Sequence, residues 1–143
     1  MTSAPLWLGF GCRRGCSALE MGALLFEVLS AHELQFDQLH GMASLSIKAQ
    51  EPGLLTLASQ LQLPLITFCA EDLAPYADRL SHRSARAYAA TGCLGAAESA
   101  ALALAERRSG ASARLLVTRH HTPMATLAIA TVAAPHVATA SAT

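Results

Sequence analysis

A chain of 143 residues with ten acidic and ten basic side chains, and only 14% charged residues in all, carries no net charge with histidine neutral. It lacks the broad basic field that non-specific binding to duplex DNA or RNA requires, which argues against a nucleic-acid partner. The length suits one compact domain with its own core; much of the 52% hydrophobic content is alanine, and no apolar stretch approaches the roughly 18 residues of a spanning helix, so a soluble protein without a membrane partner is expected.

Met1 to Leu8 shows no positively charged region leading into a long apolar one, so no secretory signal and a cytoplasmic location are expected. From Leu6 the chain reads as a buried strand running through a glycine-rich, doubly basic turn, Gly9-Phe10-Gly11-Cys12-Arg13-Arg14-Gly15-Cys16, into a helix beginning near Ala18. Ser17 and Glu20 stand three apart before an apolar run, the spacing of a capping box. Free N–H groups at such a helix start favour a phosphate or carboxylate, and Arg13 and Arg14 offer planar forks for one. The alternative is a tight turn with two solvated arginines. Leu24, Leu25, Val28 and Leu29 recur at helical spacing, so an amphipathic helix over Ala18 to Ala31 is expected to pack on a sheet.

Met42 to Ile47 alternates and predicts a short strand with one polar face, Ser44 and Ser46. Lys48, the only lysine, follows it. Glu51-Pro52-Gly53 opens a second helix, with Pro52 at the first helical position, that should stop before Pro64. Leu65 to Cys69 predicts a strand buried on both faces of a parallel sheet, followed by a short helix around Asp72 to Tyr76. Helices are expected over Ser81 to Ala90, ending at Thr91-Gly92, and from Gly95 to Arg107. Leu115 to Thr118 and Thr126 to Ala130 predict an antiparallel hairpin at one sheet edge, turning through Arg119-His120-His121-Thr122-Pro123. Beyond residue 132 the Ala/Thr/Ser-rich composition predicts a disordered tail over 133–143.

Strands alternating with helices specify a single three-layer α/β/α domain over residues 1–132, with a mostly parallel central sheet and a C-terminal antiparallel hairpin. In such folds ligands bind outside the carboxyl ends of the strands, which gathers the turn from Gly11 to Ser17, the loop from Lys48 to Gly53, the segment after Cys69 and the loop Thr91 to Gly95 toward one edge. Cys12, Cys16, Cys69 and Cys93 have neither CxxC spacing nor a paired histidine motif, so they read as reduced thiols rather than a zinc site. Cys12 and Cys16 flank the basic turn, where arginines and a helix start are able to lower a thiol pKa and make it reactive; small apolar filler is the favoured role. Adjacent His120 and His121 point to opposite faces of a strand and chelate poorly, so no metal is expected there. No G-x-S-x-G elbow surrounds a serine, which disfavours a serine hydrolase.

The order GFGCRRGCS, SIKAQEPGLLTLA, LPLITFCAEDL, TGCLGAAESAAL and LVTRHHTPMATLAIA resembles the CobE and CbiG C-terminal-domain family of cobalamin biosynthesis over about residues 6 to 130, most closely its free-standing CobE type. The resemblance implies a corrin or precorrin intermediate as ligand, no cofactor, and other enzymes of the pathway as partners. By position in the family motif it assigns Gly11, Cys12, Arg13, Arg14, Gly15, Ser17, Lys48 and Glu51 to binding. Were the chain an enzyme, it would be a CbiG-like hydrolase of a precorrin lactone, with Glu98 as general base and Lys48 as electrostatic stabiliser. At this length the chain is not expected to carry the additional N-terminal region of those hydrolases. On residue type alone, Lys48 either contacts an anion or pairs with Glu51. Glu98 either reaches the loop edge or a basic partner, or sits exposed in its helix's first turn, complementing the dipole. Two other function classes stay open: a nucleotide-binding protein, whose G-x-G-x-x-x-G is one residue longer than the dinucleotide fingerprint, and an interaction module, compatible with homo-oligomerisation.

Overall fold

The computed structural model describes residues 4–81 and 95–132. The expected helix over Ser81 to Ala90 beyond Ser81 itself, its Thr91-Gly92 end, Cys93 and the tail over 133–143 lie outside them. In chain order the elements are β1 (Leu6–Cys12), α1 (Ala18–Ala31), β2 (Leu39–Leu45), α2 (Pro52–Leu61), β3 (Leu65–Phe68), α3 (Ala70–Leu73), α4 (Ala96–Ser109), β4 (Ala113–His121) and β5 (Ala125–Val132). Short 3-10 turns cover Phe36–Gln38, Ser46–Lys48 and Ala74–Arg79.

The strands form one sheet in the order β3-β2-β1-β5-β4. β1 pairs parallel with β2 and β2 with β3, whereas β5 is antiparallel to both β1 and β4. Four strands therefore point one way and β5 the other, as expected of a mostly parallel sheet with a terminal hairpin. Register places β5 inside the sheet, with Leu8 opposite Ile129 and Phe10 opposite Leu127, and leaves β4 and β3 at the edges.

Alternation along β1 splits its side chains between two cores. Leu6, Leu8 and Phe10 pack with Met21, Leu25 and Leu29 of α1 and with Leu54 and Leu57 of α2. Trp7 faces the opposite core, with Leu102 and Leu104 of α4, Leu73 of α3 and Phe68. Helices thus cover both faces, and a strand covered twice reads as a near-continuous apolar run.

Alanine on α4 and glycine on β1 let helix and sheet approach at backbone distance. A Cβ on Gly9 would lie 1.9 Å from the Ala97 carbonyl oxygen, so no larger residue fits there without displacing α4. A Cβ on Gly41 would meet Leu104 at 3.2 Å. From Ala97 over Gly9 to Leu104 over Gly41, α4 starts near the carboxyl ends of the strands and runs back along them.

Three expectations need correction. β2 begins at Leu39, ends at Leu45, and Ser46–Lys48 is a 3-10 turn; Ser44 is fully buried, its hydroxyl donating to the Phe10 carbonyl at 2.7 Å. The hydroxyl is satisfied by the neighbouring strand, so the face read as polar is core. β3 is an edge strand on which only Phe68 is buried, because no further strand pairs with β3 on its outer side. Arg119, His120 and His121 belong to β4 rather than to the turn, since bulges between Leu115 and His120 keep the strand paired with β5 to its end.

Candidate functional site

The carboxyl ends of β1 to β4 and the β4–β5 turn share one edge, and the first turns of α1, α2 and α3 each follow a strand onto it. The glycine-rich turn leaves β1 at Cys12. Gly15 has φ +83°, a left-handed conformation that a side chain would strain. Ser17 then caps α1, its hydroxyl accepting from the Glu20 N–H at 3.1 Å, which is the cap expected from the spacing. The turn is tied to the hairpin by the Arg13 N–H, which donates to the Met124 carbonyl at 2.8 Å.

The second loop docks onto the first. The Gly15 N–H donates to Glu51 Oε1 at 2.7 Å, and the Glu51 N–H donates to the Lys48 carbonyl at 3.0 Å. Pro52 occupies the start of α2, and Gly53 lies against the Cys16 carbonyl, where a Cβ would come within 2.1 Å of the oxygen. Gly15, Cys12, Cys16, Lys48 and Glu51 are thereby brought together from positions more than thirty residues apart in sequence.

Charge at this edge is unevenly satisfied. Glu51 is committed to the Gly15 N–H. Among the described residues, Arg13, Arg14 and Lys48 take part in no ion pair, and Arg13 and Arg14 are exposed. A Lys48–Glu51 ion pair is not formed. Burial pushes the Cys12 thiol up to about 11 despite the opposing Lys48 charge, with Glu51 and Cys16 adding to the rise. Cys16 is also raised, by burial first and then by Glu20 and Glu51. The reactive-thiol alternative is therefore not supported, because desolvation of the thiolate outweighs the nearby cation.

Glu98 is buried, 2% exposed, in the first turn of α4. Its carboxylate accepts from the Ser81 N–H at 2.8 Å, from the Ser81 hydroxyl, and from the Arg119 N–H at 2.8 Å. It links the chain entering residue 81, the start of α4 and the end of β4. The solvent-exposed alternative is excluded, and the basic residue it meets supplies a backbone donor. No sequence spacing signals Ser81 or Arg119 as its partners.

A pocket of about 340 Å³ lies elsewhere, lined by Phe68, Asp72, Tyr76, Ala103, Glu106 and Arg107, and contains none of the candidate site residues. Glu106 at its wall accepts from the Tyr76 hydroxyl at 3.2 Å, from Arg79 at 3.0 Å and from the Ala113 N–H at 2.8 Å. Burial pushes the Glu106 carboxyl up, but the Ala113 N–H and Arg79 outweigh it and hold the group below its usual range. This cluster joins the 74–79 turn to α4 and β4.

Fold and site together define a small α/β domain whose carboxyl edge carries cations that form no ion pair among the described residues. Residues 6–130 match the family model described as cobalamin synthesis G C-terminus. The chain is 36% identical over 119 residues to protein CobE of Sinorhizobium sp, covering 83% of this chain and 77% of that protein. It is 40% identical over 65 residues to the cobalt-precorrin-5A hydrolase of Salmonella typhimurium (strain LT2), covering 46% of this chain and only 18% of the hydrolase. The crystal structure of CobE, a protein from the cobalamin (vitamin B12) biosynthetic pathway, matches with a TM-score of 0.87 and 41% identity over 92% of this chain and 93% of that one. The chain belongs to the cobalamin synthesis G C-terminal family and is a protein of cobalamin biosynthesis. No helix among the described residues is long and apolar enough to cross a membrane.

Proposed function

We propose that the chain binds a corrin-ring intermediate of the pathway in the cytoplasm and hands it to another enzyme, using the glycine-rich turn and the Lys48 loop. Corrin intermediates carry acetate and propionate side chains around an apolar ring. The observation that carries the reading is the set of cations that form no ion pair among the described residues, Arg13, Arg14 and Lys48, on loops joined by the Gly15–Glu51 hydrogen bond. Arginine grips carboxylates in a bidentate fork, lysine contributes a point charge, and the backbone from Gly11 through Ser17 provides a close approach at the start of α1. Exposed Leu19 in the first turn of α1 and Ile47 beside Lys48, 82% and 64% exposed, offer apolar surface next to those charges.

Binding and delivery are favoured over lactone hydrolysis by one feature. A general base needs an oxygen free to take a proton, and the Glu98 carboxylate is engaged by Ser81 and Arg119. Lys48 then serves as a carboxylate contact. Calorimetric or absorbance titration with corrin polycarboxylates is expected to show saturable binding that Arg13→Ala, Arg14→Ala and Lys48→Ala each weaken by about tenfold, or 1.4 kcal/mol. Absence of saturable binding to any corrinoid, or stabilisation by NAD, FAD or ATP in a parallel thermal-shift screen, would overturn the reading.

A further inference from the structure

We infer that His32 and His120 form a two-histidine site for a divalent late transition-metal cation such as zinc or nickel, independent of the corrin-binding loops. His32 is the residue at which α1 ends, its N–H donating to the carbonyls of Val28 and Ser30, and His120 stands near the end of β4. They are 88 positions apart in sequence, yet their ring centroids lie 5.7 Å apart with the planes at 84°.

Three observations point to a cation. His120 Nδ1 lies 2.9 Å from the Thr118 carbonyl. A carbonyl only accepts, so Nδ1 carries a proton, and in the neutral ring Nε2 then keeps its lone pair, the arrangement that orients metal-ligating imidazoles. The spacing also fits: with metal–nitrogen bonds of about 2.1 Å and a tetrahedral angle, two imidazole centroids stand roughly 5.2 Å apart. The observed separation is a few tenths of an ångström longer, and both side chains are exposed, so rotation about their broad ring torsions closes the difference. Finally, His32 sits at the carboxyl end of α1, where the negative end of the helix dipole favours positive charge.

His121 is not part of the site, because its side chain alternates to the other side of β4. The protein supplies two nitrogen ligands, and water completes the coordination. Borderline divalent cations suit imidazole, whereas magnesium and calcium prefer oxygen.

The test is calorimetric titration of the full chain, purified without a polyhistidine tag, with nickel chloride and zinc chloride. One equivalent is expected to bind, with affinity reduced at least tenfold by His32→Ala and by His120→Ala and unchanged by His121→Ala. Magnesium should give no saturable heat. Circular dichroism of each variant confirms folding, and both substitutions fall on exposed side chains. Absence of saturable binding to nickel or zinc, binding that survives His32→Ala or His120→Ala undiminished, or binding abolished by His121→Ala would each overturn the assignment.

Discussion

Adding one methyl group at Gly53 or at Gly22 should shift stability in opposite directions, because the two positions differ only in what the new atom meets. At Gly53 a Cβ would lie 2.1 Å from the Cys16 carbonyl oxygen and 2.7 Å from the Met21 terminal methyl. Ordinary carbon–oxygen contacts stand at about 3.3 Å or more, so α2 must retreat from the start of α1 by roughly an ångström. Met21 can turn aside, but a backbone carbonyl cannot. Overpacking of this kind costs about 1–3 kcal/mol, occasionally more, and removing a helical glycine offsets about 0.5–1 of that. A net loss of about 2 kcal/mol is expected. At Gly22, inside α1, a Cβ would find only Leu57 Cδ1 at 3.6 Å, an ordinary contact, so the helix-propensity gain of about 0.5–1 kcal/mol should appear undiminished.

For 143 residues, an unfolding entropy of about 2.1 cal/mol/K per residue amounts to about 0.3 kcal/mol/K. Gly53→Ala should therefore lower Tm by about 7 °C and Gly22→Ala raise it by about 2–3 °C. Differential scanning calorimetry on the two variants reads both. The corrin titration adds a second reading, since Gly53→Ala also separates the loops that Gly15 and Glu51 hold together and should weaken binding, while Gly22→Ala should not. A Gly53→Ala protein melting at or above the wild-type temperature would refute the packing of α2 on Cys16.

Two further outcomes concern the buried and half-buried carboxylates. Glu98→Ala removes the acceptor for the Arg119 N–H and for Ser81, and at about 1.5–3 kcal/mol for a hydrogen bond to a charged group should cost about 3 kcal/mol in urea unfolding; a loss below about 1 kcal/mol would show that water replaces the carboxylate freely. Glu106, held below its usual range, contributes stability that is fully present above its unfolded pKa and is lost as pH falls through its lower folded value. The urea midpoints of wild type and Glu106→Gln should therefore differ at neutral pH and converge in acid, and a difference that persists or widens at low pH contradicts the charged-acceptor role.

Local chemistry was legible in the sequence where its cause is local. Ser17 caps α1 because a hydroxyl beside a helix start finds an N–H three residues on, and Pro52 opens α2 because its missing N–H costs nothing there. The helix span Ala18–Ala31 follows from periodicity, and the apolar run of β1 from burial on two faces. The family resemblance across residues 6–130, carried by motifs in order rather than by any one of them, matched the family found by comparison. The two loops on the carboxyl edge were expected from the alternation of strands and helices.

Tertiary structure alone decided which of those residues meet. Strand order depends on hydrogen bonding between distant segments, so nothing in Leu65–Phe68 marks β3 as an edge, and nothing in Ser44 announces that Phe10 will accept its proton. The partner of Glu51 proved to be a glycine N–H rather than the lysine three residues away, because backbone donors carry no side-chain signature. Glu98 found the N–H groups of Ser81 and Arg119 for the same reason, and the rings of His120 and His32 meet because only the fold brings the ends of β4 and α1 together. A sequence specifies what each side chain can donate, accept or bury; the sheet and its covering helices determine which of these groups come within reach.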